Sequence, residues 1–409
     1  MSGHEGSNRV PLSEESPRRV LWAILAAVTI TTLGTLPVFL LSAQAVLVSE
    51  DLGLSEFELG MAVTAFFAAA AGSSLPAGRQ VERLGQRNSV LIASSLAAVS
   101  LVGIALVQLS YVTLLAFLVL GGVANAAAQI SANLLLAQVI PTRRQGLAFG
   151  VKQSAIPVST LVGGLAVPAV GLTLGWRWSY AFAGTAALLV AFITPMAIRA
   201  SNVRQRSSRT TVHISPTGPL VLIATATGLG SAALNAMGAF IVVWAVRVGL
   251  EPGPAGLLLA GASALSIAAR IASGIAADRR GRRNLPIVAG QLAIGAICLV
   301  VLSTGGPTAL VVGTLLAFGI GWSWPGLLLL AVVKTSPGQP AVATSIIQVG
   351  AFLGGASGPG LFGLLTHASS FVIAWRVAAG FLLLASCLIV LGRHLLIKDL
   401  NGRVVAPNT

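Results

Sequence analysis

Two basic side chains lie within apolar stretches of the chain, Lys152 and Arg270. Lys152 follows Gly146 by six residues, and Arg270 precedes Asp278 by eight. If both stretches cross a membrane as helices, the rise per residue places these cations about 9 and about 12 Å deep, short of a midplane at about 15 Å. A cation at that depth can bind the negative charge of a substrate. Each cation also has an alternative role: Lys152 can extend its stem to the inner membrane surface, and Arg270 can donate hydrogen bonds to backbone carbonyls or to the loop below it.

Side-chain amides form a second group of candidate ligands. Asn125 and Gln129 are four residues apart, so they share one face of a helix. Gln153, Asn235 and Gln348 lie in three further apolar segments. We predict that these five amides line a substrate-binding site together with Lys152 and Arg270, and hydrogen bonds between helices are their alternative role.

A short basic segment occurs twice in the chain. Residues 78–88 and 274–284 share the pattern Gly-x3-acid-Arg-x-Gly-x-Arg-Asn. The glycine allows two helices to approach closely, and the acid can lie against the positive amino end of a neighbouring helix or against an arginine. The following arginines suit an anionic inner membrane surface. Such a segment can act as a latch, or its arginines can be solvated charges at that surface.

The composition identifies the environment in which these residues act. The chain has 409 residues, of which 55% are hydrophobic and only 9% charged, and the mean hydropathy is +0.89. Soluble domains carry about 25% charged residues, so the chain is predicted to be an integral membrane protein. Its apolar runs are continuous and do not alternate with polar residues, which favours helices over an outer-membrane barrel.

The apolar runs predict twelve membrane spans and a two-part organisation. The predicted spans are 20–48, 59–77, 89–108, 111–140, 146–174, 178–198, 219–246, 255–277, 285–304, 308–333, 341–366 and 371–392. The repeat of the basic segment after the second and the eighth span indicates a duplicated six-span unit. The predicted parts are a cytoplasmic tail 1–19, an amino-terminal bundle 20–198, a cytoplasmic linker 199–218, a carboxyl-terminal bundle 219–396 and a cytoplasmic tail 397–409.

The distribution of basic residues predicts the orientation. The net charge is +14, and on the predicted map twenty of the 25 Lys and Arg residues lie on the side of the termini. Arg177, Arg247 and Arg376 lie on the opposite side, and Lys152 and Arg270 lie within spans. By the positive-inside rule both termini are cytoplasmic, in a multi-pass protein of the cytoplasmic membrane. The basicity is therefore a topology signal, and we expect no nucleic-acid partner.

The remaining motifs argue against an enzyme. Lys334 is followed by Thr335 but preceded by Val333, so the chain has no Walker A loop and is not expected to hydrolyse ATP. No nucleophile-base pair and no metal-ligand spacing occurs, so we predict neither catalysis nor a cofactor; a passive channel stays an alternative until saturable counterflow is shown. Every acid lies in a tail, a loop or a span end, which argues against a proton-coupled exporter of cationic drugs.

The repeated segment and the span count resemble the major facilitator superfamily of secondary transporters. The segment 274–283 is similar to the cytoplasmic loop signature of that family in full, and 78–87 differs from it at Glu82. The resemblance implies an all-α integral membrane fold with twelve transmembrane helices in two six-helix pseudo-symmetric bundles that work by alternating access. It also implies a cytoplasmic gate, whose residues are Gly78, Glu82, Arg83, Gly85, Arg87, Gly274, Asp278, Arg279, Gly281, Arg282 and Arg283.

One spacing resembles a branch of that family. Arg270-x3-Gly274-x3-Asp278 is similar to the eighth span of the monocarboxylate and oxalate/formate transporters, in which that arginine holds the substrate carboxylate. Oxalate/formate members also carry a lysine in the eleventh span, where this chain has neutral residues such as Gln348. Without that second cation, a dianion held between two facing charges is not expected. The leading prediction is therefore a secondary transporter for a small, monocarboxylate-like organic anion.

The alternative is an efflux carrier for neutral or amphiphilic drugs. The apolar interior favours it, as does the Gly-Gly-x3-Pro sequence at 163–168, which resembles an antiporter signature in part. Trp322 and Trp324 are candidates for an aromatic wall of the site. For either cargo the expected partners are a small-molecule substrate, the lipid bilayer and, as a candidate co-substrate, the proton. We expect the protein to be a monomer.

Overall fold

The computed structural model describes residues 17–107, 110–139, 145–197, 217–280, 284–335 and 340–405, and nearly all of them are helical. The α-helices are α1 Pro17–Ala43, α2 Ala45–Leu52, α3 Glu56–Leu106, α4 Tyr111–Val139, α5 Gln145–Gln153, α6 Ala155–Ala166, α7 Trp176–Ala197, α8 Thr217–Arg247, α9 Pro252–Arg280, α10 Leu285–Leu302, α11 Pro307–Leu316, α12 Trp324–Thr335, α13 Pro340–Ala368 and α14 Phe371–Val405. Two π-helical turns, Val167–Gly171 and Ala317–Gly321, continue α6 and α11.

The described helices contain twelve segments that are long and apolar enough to cross a membrane, as the sequence predicts. We number them spans 1 to 12: Val20–Ala43, Glu56–Ser74, Arg83–Leu106, Tyr111–Asn133, Gly146–Gly171, Trp176–Thr194, Gly218–Arg247, Pro252–Arg280, Leu285–Leu302, Pro307–Thr335, Ala343–Ala368 and Phe371–Lys398. An even number of spans puts both chain ends on one side, which we name the termini side. The opposite side is named the far side.

The twelve spans form two bundles of six, which confirms the predicted fold class. In the first bundle α3 packs against α4 and α7, and α1 against α4 and α6. In the second bundle α8 packs against α13 and α14. The bundles meet where spans 2 and 11 lie side by side and where spans 5 and 8 do so.

Several predicted boundaries differ from the observed ones. The segment 78–88, predicted as a loop, is helical on both sides of Gly85, which alone makes the turn with φ 76° and ψ 171°. A left-handed φ is easily adopted only by glycine, so one residue is enough to separate spans 2 and 3. Of the predicted linker 199–218, residues 217 and 218 begin α8 and the others lie outside the described residues. Helix also extends into both predicted tails, from Pro17 and to Val405.

Spans 5 and 10 are interrupted near their centres. In span 5 the α-helix ends at Gln153 and resumes at Ala155. In span 10 the π-helical turn ends at Gly321, and the helix resumes at Trp324. Proline lacks the N–H that would close the helical ladder, and Pro157 and Pro325 follow the two breaks. Both interruptions face the boundary between the bundles, where they position the candidate site residues.

Glycines bring the bundles into close contact on the far side. A Cβ added to Gly164 of span 5 would lie 2.6 Å from the carbonyl oxygen of Gly256 in span 8. A Cβ added to Gly60 of span 2 would lie 2.5 Å from the carbonyl oxygen of Pro359 in span 11. Without side chains, these helices pack backbone against backbone, as small residues allow in membrane proteins. The far side is therefore closed at both pairs of spans.

Candidate substrate cavity between the bundles

A cavity lies between the two bundles near the middle of the spans. Its walls come from spans 1, 2, 4 and 5 of the first bundle and from spans 7, 10 and 11 of the second. The lining residues are Thr35, Phe39, Phe67, Asn125, Gln129, Gln153, Ile156, Thr227, Ser231, Asn235, Trp322, Trp324, Pro325, Leu328, Leu329, Ile347, Gln348, Ala351 and Phe352. The atom-free space between them is about 790 Å³, including its open mouth.

The cavity combines aromatic rings with neutral polar groups. No acidic or basic side chain lines it among the residues that the structure describes. Phe39 of the first bundle and Trp322 of the second approach edge to face, with ring centroids 6.4 Å apart. Such a surface suits a molecule with an apolar body and a few uncharged hydrogen-bonding groups.

The structure brings all five predicted amides to this cavity. Asn125 and Gln129 lie on one face of span 4, as their spacing predicts, and Gln153, Asn235 and Gln348 contribute from spans 5, 7 and 11. Asn235 uses its Nδ2 to donate to the carbonyl of Ser231, 2.8 Å away. The Oδ1 of Asn125 is buried and has no hydrogen-bond partner among the described residues.

Lys152 lies behind the cavity wall. Its side chain is buried, and its Nζ donates to the Oε1 of Gln129. Because an ammonium carries only donors, Gln129 must present its oxygen to Lys152. The side chain therefore contacts a lining residue without lining the cavity itself, and it does not extend to the membrane surface.

Arg270 also lies outside the cavity. Its side chain is only 1% exposed. Its Nη1 donates to the carbonyl of Gln153 at 2.5 Å, and its Nη2 donates to the carbonyl of Trp322 at 2.7 Å. The guanidinium also lies over the Trp322 ring, 5.8 Å from the ring centroid. These contacts correspond to the alternative in which Arg270 binds backbone carbonyls.

Asp278 of the second basic segment lies at the start of span 5. Its Oδ1 accepts the N–H of Gly146 at 2.8 Å, and its Oδ2 accepts the N–H of Leu147 at 3.0 Å. These N–H groups belong to the first helical turn, where they have no partner within the helix. Gly274 makes the contact close, because a Cβ there would lie 2.5 Å from the carbonyl oxygen of Gly146. The acid thus joins the two bundles on the termini side.

The other predicted gate residues are described in part. Arg83, Arg279 and Arg280 are exposed, and Arg87 is half-buried. Gly281, Arg282 and Arg283 lie outside the described residues. The side chains of residues 78–82, which include Glu82, are not described either. The arrangement of the first copy around Glu82 therefore remains a prediction.

A contact that the sequence analysis missed joins the bundles on the far side. Glu56, at the start of span 2, forms an ion pair with Arg247, at the end of span 7. The Oγ1 of Thr64 accepts the N–H of Gly360 at 3.0 Å, about two helical turns deeper along span 2. Opposite charges at the ends of spans in different halves are the sequence signal, but they cannot be paired without knowing which spans are neighbours.

The aromatic lining residues Phe39, Phe67 and Phe352 were also missed. Phenylalanine is common throughout the spans, and its type and spacing do not distinguish a cavity wall from a core or a lipid-facing position. Of the aromatic residues, the sequence singled out Trp322 and Trp324, because they stand beside the Pro325 break.

Comparisons with known proteins agree with this architecture. The chain is 26% identical over 343 residues to a chloramphenicol resistance protein of Streptomyces lividans, covering 82% of this chain and 86% of that one. It is 25% identical over 316 residues to an uncharacterized MFS-type transporter of Mycobacterium tuberculosis, covering 75% and 71%. Both relatives are matched over most of their length.

Solved structures share the fold. A bacterial homolog of the human lysosomal transporter Spinster, inward-facing and unoccupied, superposes with a TM-score of 0.72 at 16% identity, covering 94% of this chain and 99% of that one. Its occupied form gives a TM-score of 0.68 at 17% identity, covering 93% and 98%. The family model of the Major Facilitator Superfamily matches residues 21–359. The chain therefore belongs to the major facilitator superfamily, and it is a multi-pass membrane transport protein of the secondary carrier type.

Proposed function

We propose that the protein exports neutral, amphipathic small molecules across the cytoplasmic membrane by alternating access. The observation that carries this proposal is the chemistry of the cavity, where amides and aromatic rings from both bundles face one space and no charged side chain lines it among the described residues. A neutral molecule with polar groups leaves no uncompensated charge in such a site, whereas an ion would need a partner there.

The hydrogen bonds of the two buried cations support the same class of substrate. Lys152 donates to a side-chain amide, and Arg270 donates to two backbone carbonyls. Export as the direction is supported by the resistance protein of Streptomyces lividans, which matches 82% of this chain. An organic anion stays a second candidate, because Lys152 contacts Gln129, which is itself a lining residue.

Transport in proteoliposomes tests the proposal. We expect saturable counterflow of neutral amphipathic probes, with chloramphenicol as the first one, and none of lactate or oxalate. Phe352→Ala should weaken transport because it removes a lining ring. Leu353→Ala is the matched control, since this neighbour is 61% exposed on the outside of the same helix.

Two outcomes would contradict the proposal. Counterflow restricted to carboxylates would favour the organic-anion class. Equal losses in Phe352→Ala and Leu353→Ala would mean that this cavity is not the binding site. The proton as a co-substrate is tested in the same vesicles, by measuring whether an imposed pH gradient drives accumulation of the probe.

A further inference from the structure

We propose that Arg270 is a positioning residue that holds one cavity wall residue of each bundle in place by binding the two backbone carbonyls at the breaks of spans 5 and 10. The inference rests on the proposed function only in taking the cavity as the substrate site. Arg270 belongs to span 8 of the second bundle, Gln153 to the first bundle and Trp322 to the second. One guanidinium thus joins the bundles at mid-membrane depth.

The carbonyl of Gln153 needs this partner because of the sequence. In an α-helix it would accept the N–H of residue 157. That residue is Pro157, which has no N–H. The bond that this carbonyl accepts is buried, so another part of the protein provides the missing donor. The Nη1 of Arg270 does so at 2.5 Å.

The carbonyl of Trp322 lies in a comparable position. Trp322 stands between the π-helical turn Ala317–Gly321 and the helix that begins at Trp324. Pro325 follows it by three residues and cannot close a tighter turn onto this carbonyl. The Nη2 of Arg270 donates to it at 2.7 Å. Two interrupted helices therefore share one donor group.

A guanidinium fits this task better than an ammonium does. Its Nη1 and Nη2 carry separate N–H groups in a rigid plane, so they reach two acceptors on different helices. A lysine would offer one nitrogen, on which both carbonyls would have to converge. Arg270 has no ion-pair partner among the described residues, so the two carbonyl dipoles and the face of the Trp322 ring stabilise its charge.

Close backbone packing between spans 5 and 8 fixes the depth of Arg270 in the interface between the bundles. A Cβ added to Gly150 of span 5 would lie 2.7 Å from the carbonyl oxygen of Arg270. The backbones of spans 5 and 8 therefore touch one turn below the break at Gln153. With the backbone held there, the side chain of Arg270 reaches the two carbonyls, and the lining side chains of Gln153 and Trp322 are fixed with them.

A double-mutant cycle tests the pairing with the freed carbonyl. Arg270→Met should lower the thermal unfolding midpoint of the purified protein, because two buried carbonyls lose their donor. Pro157→Ala restores the N–H that Gln153 lacks, so in the Arg270→Met background it should recover a clear part of the loss. Lys152→Met is the matched control. It removes a cation that binds a side chain, so Pro157→Ala should recover nothing in that background.

A spectroscopic signal at Trp322 tests the positioning itself. With 5-fluorotryptophan incorporated, the ¹⁹F resonance of Trp322 is assigned through Trp322→Phe. Arg270→Met should shift or broaden this resonance and leave that of the exposed Trp178 unchanged. Arg270→Lys should have the same effect, because it keeps the charge but has one nitrogen in place of Nη1 and Nη2.

Three results would overturn the proposal: strictly additive midpoint losses in the cycle, equal recovery in the Lys152→Met background, or an unchanged Trp322 resonance in folded Arg270→Met. If Arg270→Met yields no folded protein, recovery of folded protein by Pro157→Ala supports the proposal, and the absence of recovery contradicts it. Neither measurement uses a transported compound, so its outcome is independent of the compound class proposed above.

Discussion

At the scale of single residues, the buried cations use their charge to hold neighbouring groups. Lys152 binds the side chain of Gln129, and Arg270 binds the backbone of Gln153 and Trp322. All three partners line the cavity, whereas neither cation does, so the charges shape the wall without facing the cavity. We expect the loss of Gln129 and the loss of Lys152 to lower stability by different amounts.

Gln129→Leu should destabilise the protein by about 1–3 kcal/mol, because it leaves a buried ammonium without an acceptor. Lys152→Met should cost less, since it removes the charge and keeps a similar volume. In the double variant the Lys152→Met substitution should restore most of the loss caused by Gln129→Leu. Thermal unfolding of the four proteins measures this. Equal and additive losses would mean that the two side chains do not act as a pair.

Residue types alone predicted which amides gather around one space, but not the hydrogen bonds of the two cations. The amides at positions 125, 129, 153, 235 and 348 were predicted from polarity within apolar runs, and all five reach the cavity. Backbone carbonyls were an alternative for Arg270, but the sequence analysis did not identify which two carbonyls it binds, because every residue has one. Pro157 was the available signal, since it stands four residues after Gln153 and withholds one N–H.

At the scale of elements, the start of span 5 depends on a residue of span 8. The carboxylate of Asp278 accepts two N–H groups of the first turn, and its charge is favourable at the positive end of a helix. An amide in this place has one acceptor oxygen and no charge, and it turns its NH2 group toward a donor.

Asp278→Asn should therefore weaken this contact between the bundles by about 1 kcal/mol and increase the population that is open on the termini side. Spin labels at the exposed positions Arg83 and Arg280 should report longer distances in this variant. Glu251→Gln is the control, since it neutralises an exposed acid on the far side and should leave the distances unchanged. An unaltered distance distribution in Asp278→Asn would mean that the segment 274–284 sets the orientation of the chain and does not act as a gate.

Span number and order were predictable from apolar runs, but the shape of the spans was not. A run of apolar residues predicts a helix that crosses the membrane, and the glycine and proline positions within it leave several local conformations open. The π-helical turns Val167–Gly171 and Ala317–Gly321 and the one-residue turn at Gly85 depend on how neighbouring helices pack. The order of apolar residues does not show which helices will be neighbours, so these local conformations could not be predicted from it.

At the scale of the whole molecule, the far side is closed by contacts that alternating access must break. Spans 2 and 11 touch through Gly60 and Pro359, spans 5 and 8 through Gly164 and Gly256. The Glu56–Arg247 ion pair lies at the rim of the same interface, where it is partly exposed to solvent. Opening toward the far side separates all of these contacts, because packed interfaces switch between discrete arrangements.

A cross-link between the bundles at this rim should therefore stop transport. In a background without Cys298 and Cys387, Glu56→Cys combined with Arg247→Cys places one thiol in each bundle. A short bifunctional methanethiosulfonate reagent should block counterflow of the transported probe, and a reducing agent should restore it. By the positive-inside rule the far side is extracellular, so a membrane-impermeant reagent should react in intact cells.

The matched control for the cross-link lies within one bundle. Asp51 and Arg177 approach to 3.8 Å on the far side, and both belong to the first bundle. Asp51→Cys with Arg177→Cys should cross-link equally well and leave transport intact, because the two positions move together. Continued transport with the Glu56–Arg247 positions cross-linked would contradict opening at this rim, and reaction only after the cells are permeabilised would reverse the predicted orientation.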